Sequence, residues 1–443
     1  MDCQIIMRED ILNNYDVVIV GGGFSGLTLA YHLPSNLRVL VLERKNKPDA
    51  AVESTGLITE VTKNLLGEFV DIDNYLPNPI DTIGVVSPDY DKYFFSSTKQ
   101  PWVFSTDTPA LIKRMGEILP DNVKLLLSAT FISAQKTDDH GYPLRIKFVL
   151  NNGPRQEKTI QTKFLVGADG GRSAVAQTDK FLSKNKRFLA GFEKVFYGQI
   201  NFGPKPLSTV YHFWFGEFSL GYGGWLSPTL VNGRPAFRVG LAKLAKDMKD
   251  LSRLDQFVEI LRQKNIINIQ DEASFLSFAS LIPIGGVLRH HYHDRSLLVG
   301  DAAGFCGAFA ADGIKGALVS AQVASRLIPR FLAGETNVFK QYHQEIQKFN
   351  RLIRYFYKQK LYRFVWDRMK TDRSFMAMYN LIANSKEGFL DQFCDSQFRF
   401  DGQTKRGLMS LVITWKNLPQ LIAYAWFLLI DALSSFFKKK KPR

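Results

Sequence analysis

The chain has 443 residues, 45% of them hydrophobic, with 57 Lys and Arg against 42 Asp and Glu and a formal charge of +15. This composition supports a sizeable core and excludes a disordered protein, and the basic balance favours an anionic partner such as a membrane surface or a phosphorylated substrate. The three scattered cysteines, Cys3, Cys306 and Cys394, exclude a disulfide framework or a cysteine-rich metal site and fit a reducing compartment.

The N-terminal segment MDCQIIMREDILNN carries acids and no long apolar run, so no secretory signal is expected. Val17 to Val20 then form an apolar, β-branched run, the composition of a strand buried on both faces of a parallel sheet. It ends in Gly21, Gly23 and Gly26, which satisfy G-x-G-x-x-G with Ser25 inside the loop, and Leu27, Leu29, Ala30 and Leu33 continue as a helix. The first glycine permits a tight turn, the second lets backbone approach a pyrophosphate, and the third lets the helix pack closely, with its N-terminal N–H groups facing the anion. Leu37 to Leu42 is a second apolar strand ending in Glu43, with Arg44 beside it among the cofactor-binding candidates. A carboxylate roughly 20 residues past the glycines accepts ribose hydroxyls and repels a 2′-phosphate, so FAD or NAD fits, and this unit alone does not choose.

Val123 to Gln135, Leu144 to Leu150 and Thr159 to Val166 read as a β-meander divided by the turn sequences DDHGYP and NNGPRQ. It leads into FLVGADGGRSAVA, where an apolar strand ends in glycine and an acid, Asp169. Further on, Gly191 to Ile284 is rich in aromatics and strand formers, with an amphipathic helix near Leu254 to Leu261. Tyr211, Trp214, Tyr222 and Trp225 are expected to wall an apolar pocket for a long alkyl or isoprenoid chain. His290, His291 and His293 match no zinc spacing, so no metal site is expected. No zinc-finger or RNP spacing is present, so nucleic acid is not an expected partner. The stretch RSLLVGDAAGFCGAFAADGIKGALVSAQVASRLI repeats the strand-to-glycine grammar: strand Leu297 to Val299, then Gly300 and Asp301, a small-residue loop, and a helix beginning near Asp312 and Gly313.

Beyond residue 345 the chain turns aromatic and basic. Leu418 to Phe437 approaches the roughly 20 residues that span a bilayer, but Pro419 and Asp431 interrupt it, and Lys438, Lys439, Lys440 and Lys441 follow. The expectation is a helix lying in the membrane interface with its lysines on anionic headgroups, peripheral or monotopic, on the cytoplasmic side. The competing reading is a C-terminal helix docked on the protein.

The three glycine-and-acid motifs, in this order and spacing, resemble the para-hydroxybenzoate hydroxylase-type flavoproteins, and LLVGDAAGFCGAF is most similar to their geranylgeranyl reductase branch. The resemblance implies FAD, with the glycine loop on the pyrophosphate, Glu43 on the adenosine ribose, Asp301 on the ribityl side and Asp169 beside the cofactor. Gly313 and Ile314 become the donors toward the flavin ring, because a helix N-terminus stabilises the negative charge of reduced flavin. The chain departs from the family at Ala308, Ala311 and Asp312, which replace a proline and two glycines, and at Val103, Phe104 and Ala176, where arginines are usual. Ser54 and Thr55 stand where the reductases often carry a cysteine, and Thr229 stands for a lysine.

The expected fold is α/β. A Rossmann-like FAD-binding domain comes from residues 14–80, 101–190 and 285–335, an inserted mixed-sheet substrate domain from 81–100 and 191–284, and a C-terminal helical membrane-associated tail from 336–443. The implied activity is reduction of carbon–carbon double bonds in an isoprenoid or prenyl lipid, with NAD(P)H or an electron-transfer protein as reductant. A flavin monooxygenase acting on a lipophilic or aromatic substrate and a non-catalytic lipid-binding protein are the alternatives. No residue is assigned as proton donor.

Overall fold

Strand Asn14–Val20 is buried from its second residue onward, as its unbroken apolar run requires of a strand covered on both faces. It lies in parallel between Val39–Leu42 and Gln156–Gly167. The computed structural model that shows this describes residues 11–47, 54–151, 153–231, 233–248, 251–349, 351–387, 389–390 and 413–439. Across this sheet the order is Tyr292–His293, Ser296–Leu298, Gln156–Gly167, Asn14–Val20, Val39–Leu42, Val123–Leu126. The long strand Gln156–Gly167 pairs with three strands. Its first half closes an antiparallel meander with Leu144–Leu150 and Ala129–Lys136, and its second half joins the parallel sheet. Helices Phe24–His32 and Gly313–Leu332 pack against each other and, with the parallel strands, share the largest apolar core.

A second, seven-stranded sheet runs in the order Ile267–Pro283, Phe188–Ile200, Arg234–Leu244, Gly223–Val231, Val210–Trp214, Thr82–Val86, Tyr93–Ser97. All its pairings are antiparallel except Val210–Trp214 with Thr82–Val86. Strands near residues 81–100 and strands from 188–283 therefore meet in one sheet. Period-two alternation sends Tyr211, Phe213 and Phe215 to one face and His212 and Trp214 to the other. Helix Ser252–Gln263 covers that second face, where the Trp214 and Phe257 rings lie 5.4 Å apart.

Near the C-terminus, helices Leu352–Trp366, Asp372–Ala383 and Leu418–Lys439 close the structure. Pro419 does not interrupt the last helix. It occupies the first turn, where its missing N–H costs no hydrogen bond. Asp431 is buried: its carboxylate accepts from the backbone N–H groups of Lys370 at 2.7 Å and Thr371 at 3.3 Å and from the Thr371 hydroxyl at 2.9 Å. The helix is thereby pinned along Leu421, Tyr424 and Leu428, which pack into an apolar cluster. Its opposite face leaves Ile422 62%, Trp426 59%, Leu429 51% and Leu433 50% exposed. Among the described residues no helix is long and apolar enough to cross a membrane. Lys438 and Lys439 end the helix, and Lys440 and Lys441 lie outside the described residues.

Candidate active site

A cavity of about 1110 Å³ opens at the carboxyl ends of the parallel strands, where Val20, Leu42, Ala168 and Asp301 line it. Ligands of open α/β sheets bind at this edge because the strand-to-helix turns converge there. Gly21 makes the first turn at φ +107°, and a Cβ on it would lie 2.3 Å from the Ala168 carbonyl oxygen. Among the described residues nothing lies within 4 Å of a Cβ position on Gly23, so the backbone is open to a ligand. Gly26 faces inward, 1.9 Å separating its Cβ position from the Gly21 carbonyl oxygen. The helix Phe24–His32 thus sits directly on the turn, with Ser25 at the cavity wall.

Glu43 is 8% exposed, and its carboxylate is held from two sides. Oε2 accepts from Gly22 N–H at 2.7 Å and Oε1 from Lys45 N–H at 2.9 Å. Each carboxylate oxygen keeps a further acceptor site, which is what a pair of ribose hydroxyls needs. Glu43→Gln replaces two acceptor oxygens by one. FAD affinity is expected to fall by about tenfold, the loss of one charge-assisted hydrogen bond, in a fluorescence-quenching titration of the apoprotein.

Asp169 is arranged for a ligand. Its Oδ2 accepts from Ala174 N–H at 2.6 Å and Val175 N–H at 3.2 Å, fixing the short helix Ala174–Thr178, whereas its Oδ1 is shut off from solvent with no hydrogen-bond partner among the described residues. Burial pushes this carboxyl above its usual range. Asp301 stands opposite the start of helix Gly313–Leu332, with its Oδ1 2.8 Å from a Cβ position on Gly313. Gly313 and Ile314 line the cavity, and the first N–H groups of a helix have no partners within it. The backbone cradle, the orphaned Asp169 oxygen and this helix end together fit a flavin dinucleotide.

Of the remaining candidates, Arg44 is an exposed residue on the rim. Gly26 and Gly300 are packing glycines behind the wall. Gly300, at φ +56°, has its Cβ position 2.9 Å from Ser25 Oγ and donates its N–H to Ser320 Oγ at 2.9 Å. Tyr211, Tyr222 and Trp225 face the cavity together with Phe213 and Phe215. Trp214 does not, because strand alternation turns it toward helix Ser252–Gln263, and its assignment to the pocket wall is corrected. Cys306 lines the cavity but is fully buried, and burial raises its thiol well above the usual range, so it is not poised as a thiolate. The histidines sit elsewhere. His293 meets Asp179 at 2.7 Å, and His291 stacks on His343 with burial lowering it to about 4.

What the sequence did not reveal is the far wall. Tyr362, Trp366, Leu421 and Tyr424 line the cavity from the C-terminal region, beside Phe309 from the loop before helix Gly313–Leu332. The run around Tyr355 to Trp366 is apolar on two sides of its helix, so periodicity alone does not mark which side faces inward.

The FAD dependent oxidoreductase model matches residues 16–75 and the FAD binding domain model residues 134–354. The chain belongs to the FAD-dependent oxidoreductases. It is 23% identical over 375 residues to the digeranylgeranylglycerophospholipid reductase of Methanococcus vannielii, covering 81% of this chain and 85% of that one. Its fold is shared with a geranylgeranyl bacteriochlorophyll reductase-like protein of Thermoplasma acidophilum, with a TM-score of 0.69 at 15% identity over 95% of this chain and 99% of that one. It is shared as well with p-nitrophenol 4-monooxygenase of Pseudomonas putida, with a TM-score of 0.59 at 16% identity over 94% and 99%. Within the FAD-dependent oxidoreductases the chain is similar to the geranylgeranyl reductase-like branch.

Proposed function

We propose that this protein reduces carbon–carbon double bonds of a prenyl lipid, working from the cytoplasmic side of a membrane surface. The observation that carries the reading is one continuous cavity: its first part is the dinucleotide cradle, and its second is walled by Tyr211, Phe213, Trp225, Trp366 and Leu421. An apolar chain laid there reaches the Asp301 and Gly313 corner. FAD, when bound, supplies hydride transfer. The residues of the chain do the rest. Gly21 to Ser25 and Glu43 would orient the adenosine and pyrophosphate, Asp169 and Asp301 would hold the cofactor, and the N-terminus of helix Gly313–Leu332 would stabilise negative charge on it. The aromatic walls exclude water and align the lipid. The reductant is NAD(P)H or an electron-transfer protein. The exposed apolar face of helix Leu418–Lys439 lies on the reverse of a cavity wall, which favours uptake of a lipid from the bilayer.

The expected result is made visible by anaerobic absorbance spectroscopy of detergent-purified protein. After reduction, the flavin bands return on adding an unsaturated prenyl lipid without oxygen. Bands that return only with oxygen and substrate favour the monooxygenase reading, which the shared fold of the p-nitrophenol enzyme supports. A protein that takes up no flavin while still binding lipid leaves only the non-catalytic reading.

A further inference from the structure

Three polar side chains that the scheme above leaves unused meet at the start of helix Gly313–Leu332. Asp312 lines the cavity beside Gly313 and Ile314. Its Oδ2 accepts a hydrogen bond from the Tyr355 hydroxyl and lies 3.4 Å from Lys315 Nζ, and Lys315 Nζ sits 4.1 Å over the Tyr355 ring. Its Oδ1 is closed off from solvent with no hydrogen-bond partner among the described residues, against Gly307, whose Cβ position is 1.9 Å away. An aspartate directly before a helix ordinarily caps the first N–H groups. Asp312 makes no such cap, and its carboxyl turns to Tyr355 and Lys315 instead.

Burial acts on the pair in one direction, raising the Asp312 carboxyl and lowering the Lys315 amine. The neighbouring Tyr222 and Cys306 are held in their neutral forms by burial, and Asp301 and Arg363 are the further charged groups acting on this corner.

On the reductase reading, we infer that Asp312 is the acid that delivers the proton to the substrate double bond. Reduction breaks the π bond and forms two C–H bonds. A hydride comes from the reduced flavin to one carbon, and the proton comes from the Asp312 carboxyl to the next. The Asp312 O–H bond breaks, the flavin is oxidised, and the carboxylate left behind is held by the Tyr355 hydroxyl and Lys315 until water returns the proton.

The test uses the full-length protein with two readouts. An infrared difference spectrum between wild type and Asp312→Asn, recorded at neutral pH with and without FAD, is expected to show a protonated-carboxyl band belonging to Asp312. In anaerobic turnover of a prenyl lipid, Asp312→Asn is expected to lower kcat by on the order of 10²-fold or more, with KM and flavin content unchanged. Tyr355→Phe removes a hydrogen bond that favours the carboxylate, so the alkaline limb of kcat moves to higher pH. Absence of the band, or turnover by Asp312→Asn at the wild-type rate, overturns the assignment. A wild-type enzyme that shows the band but reduces no lipid removes the reductase reading, and this role with it.

Discussion

Gly26→Ala is expected to yield a protein that no longer retains FAD. The added Cβ would lie 1.9 Å from the Gly21 carbonyl oxygen and 3.1 Å from its carbon, and these are backbone atoms that cannot rotate away. Relief requires helix Phe24–His32 to lift off the turn. That movement pulls the free N–H groups at its start away from the site where the pyrophosphate would bind and disturbs the contact with helix Gly313–Leu332. Overpacking in a close-packed core costs about 1–3 kcal/mol, and a clash with fixed backbone belongs at the upper end. Thermal unfolding of purified protein and the flavin-to-protein absorbance ratio measure both effects. A variant that unfolds at the wild-type temperature with full flavin content would show that the turn and helix are not locked as described.

The second large effect concerns the membrane. Ile422, Trp426, Leu429 and Leu433 recur along one side of helix Leu418–Lys439, each at least half exposed, while Asp431 and Tyr424 anchor the other side. Replacing the four by serine leaves the docked face untouched and is expected to leave the fold intact. If each contributes about 1 kcal/mol by entering the interface, about half of a full burial, partitioning onto vesicles falls by about a thousandfold. Sedimentation of the full-length protein with vesicles containing anionic lipid reads this directly. Raising the salt is expected to weaken wild-type binding if, as proposed, Lys438 to Lys441 contribute through charge. A wild-type protein that stays in the supernatant with such vesicles would sink the membrane proposal and leave the docked helix as a purely structural element.

Much of the cofactor side is legible in the amino-acid sequence. The strand at Val17, the glycine turn, the acid at Glu43, the later strands of the meander and the pairing of Gly300 with Asp301 are local features, whereas the expected strand Val123 to Gln135 divides into Val123–Leu126 in the parallel sheet and Ala129–Lys136 in the meander. Turn chemistry and apolar runs specify them over a few residues, and the observed elements Asn14–Val20, Phe24–His32, Leu144–Leu150 and Gly313–Leu332 follow them closely. The pocket side is legible only in part. Alternation along Val210–Trp214 implies two faces, but the sequence carries no sign of which face meets the cavity, so Tyr211 and Trp214 read alike as wall residues although they point apart.

The chain by itself determined the strand–turn–helix cradle, the acids around it and the apolar character of the final helix, because each depends on neighbours a few positions away. Only the tertiary structure decided that the final helix both walls the cavity and presents an apolar face outward. Asp431 finds its partners at Lys370 and Thr371, far back along the chain. Tertiary packing decided likewise that Asp312, Lys315 and Tyr355 form one buried cluster, since nothing short-range links a loop aspartate to a tyrosine on a later helix. Burial and long-range packing set these relations, and neither is written in local pattern.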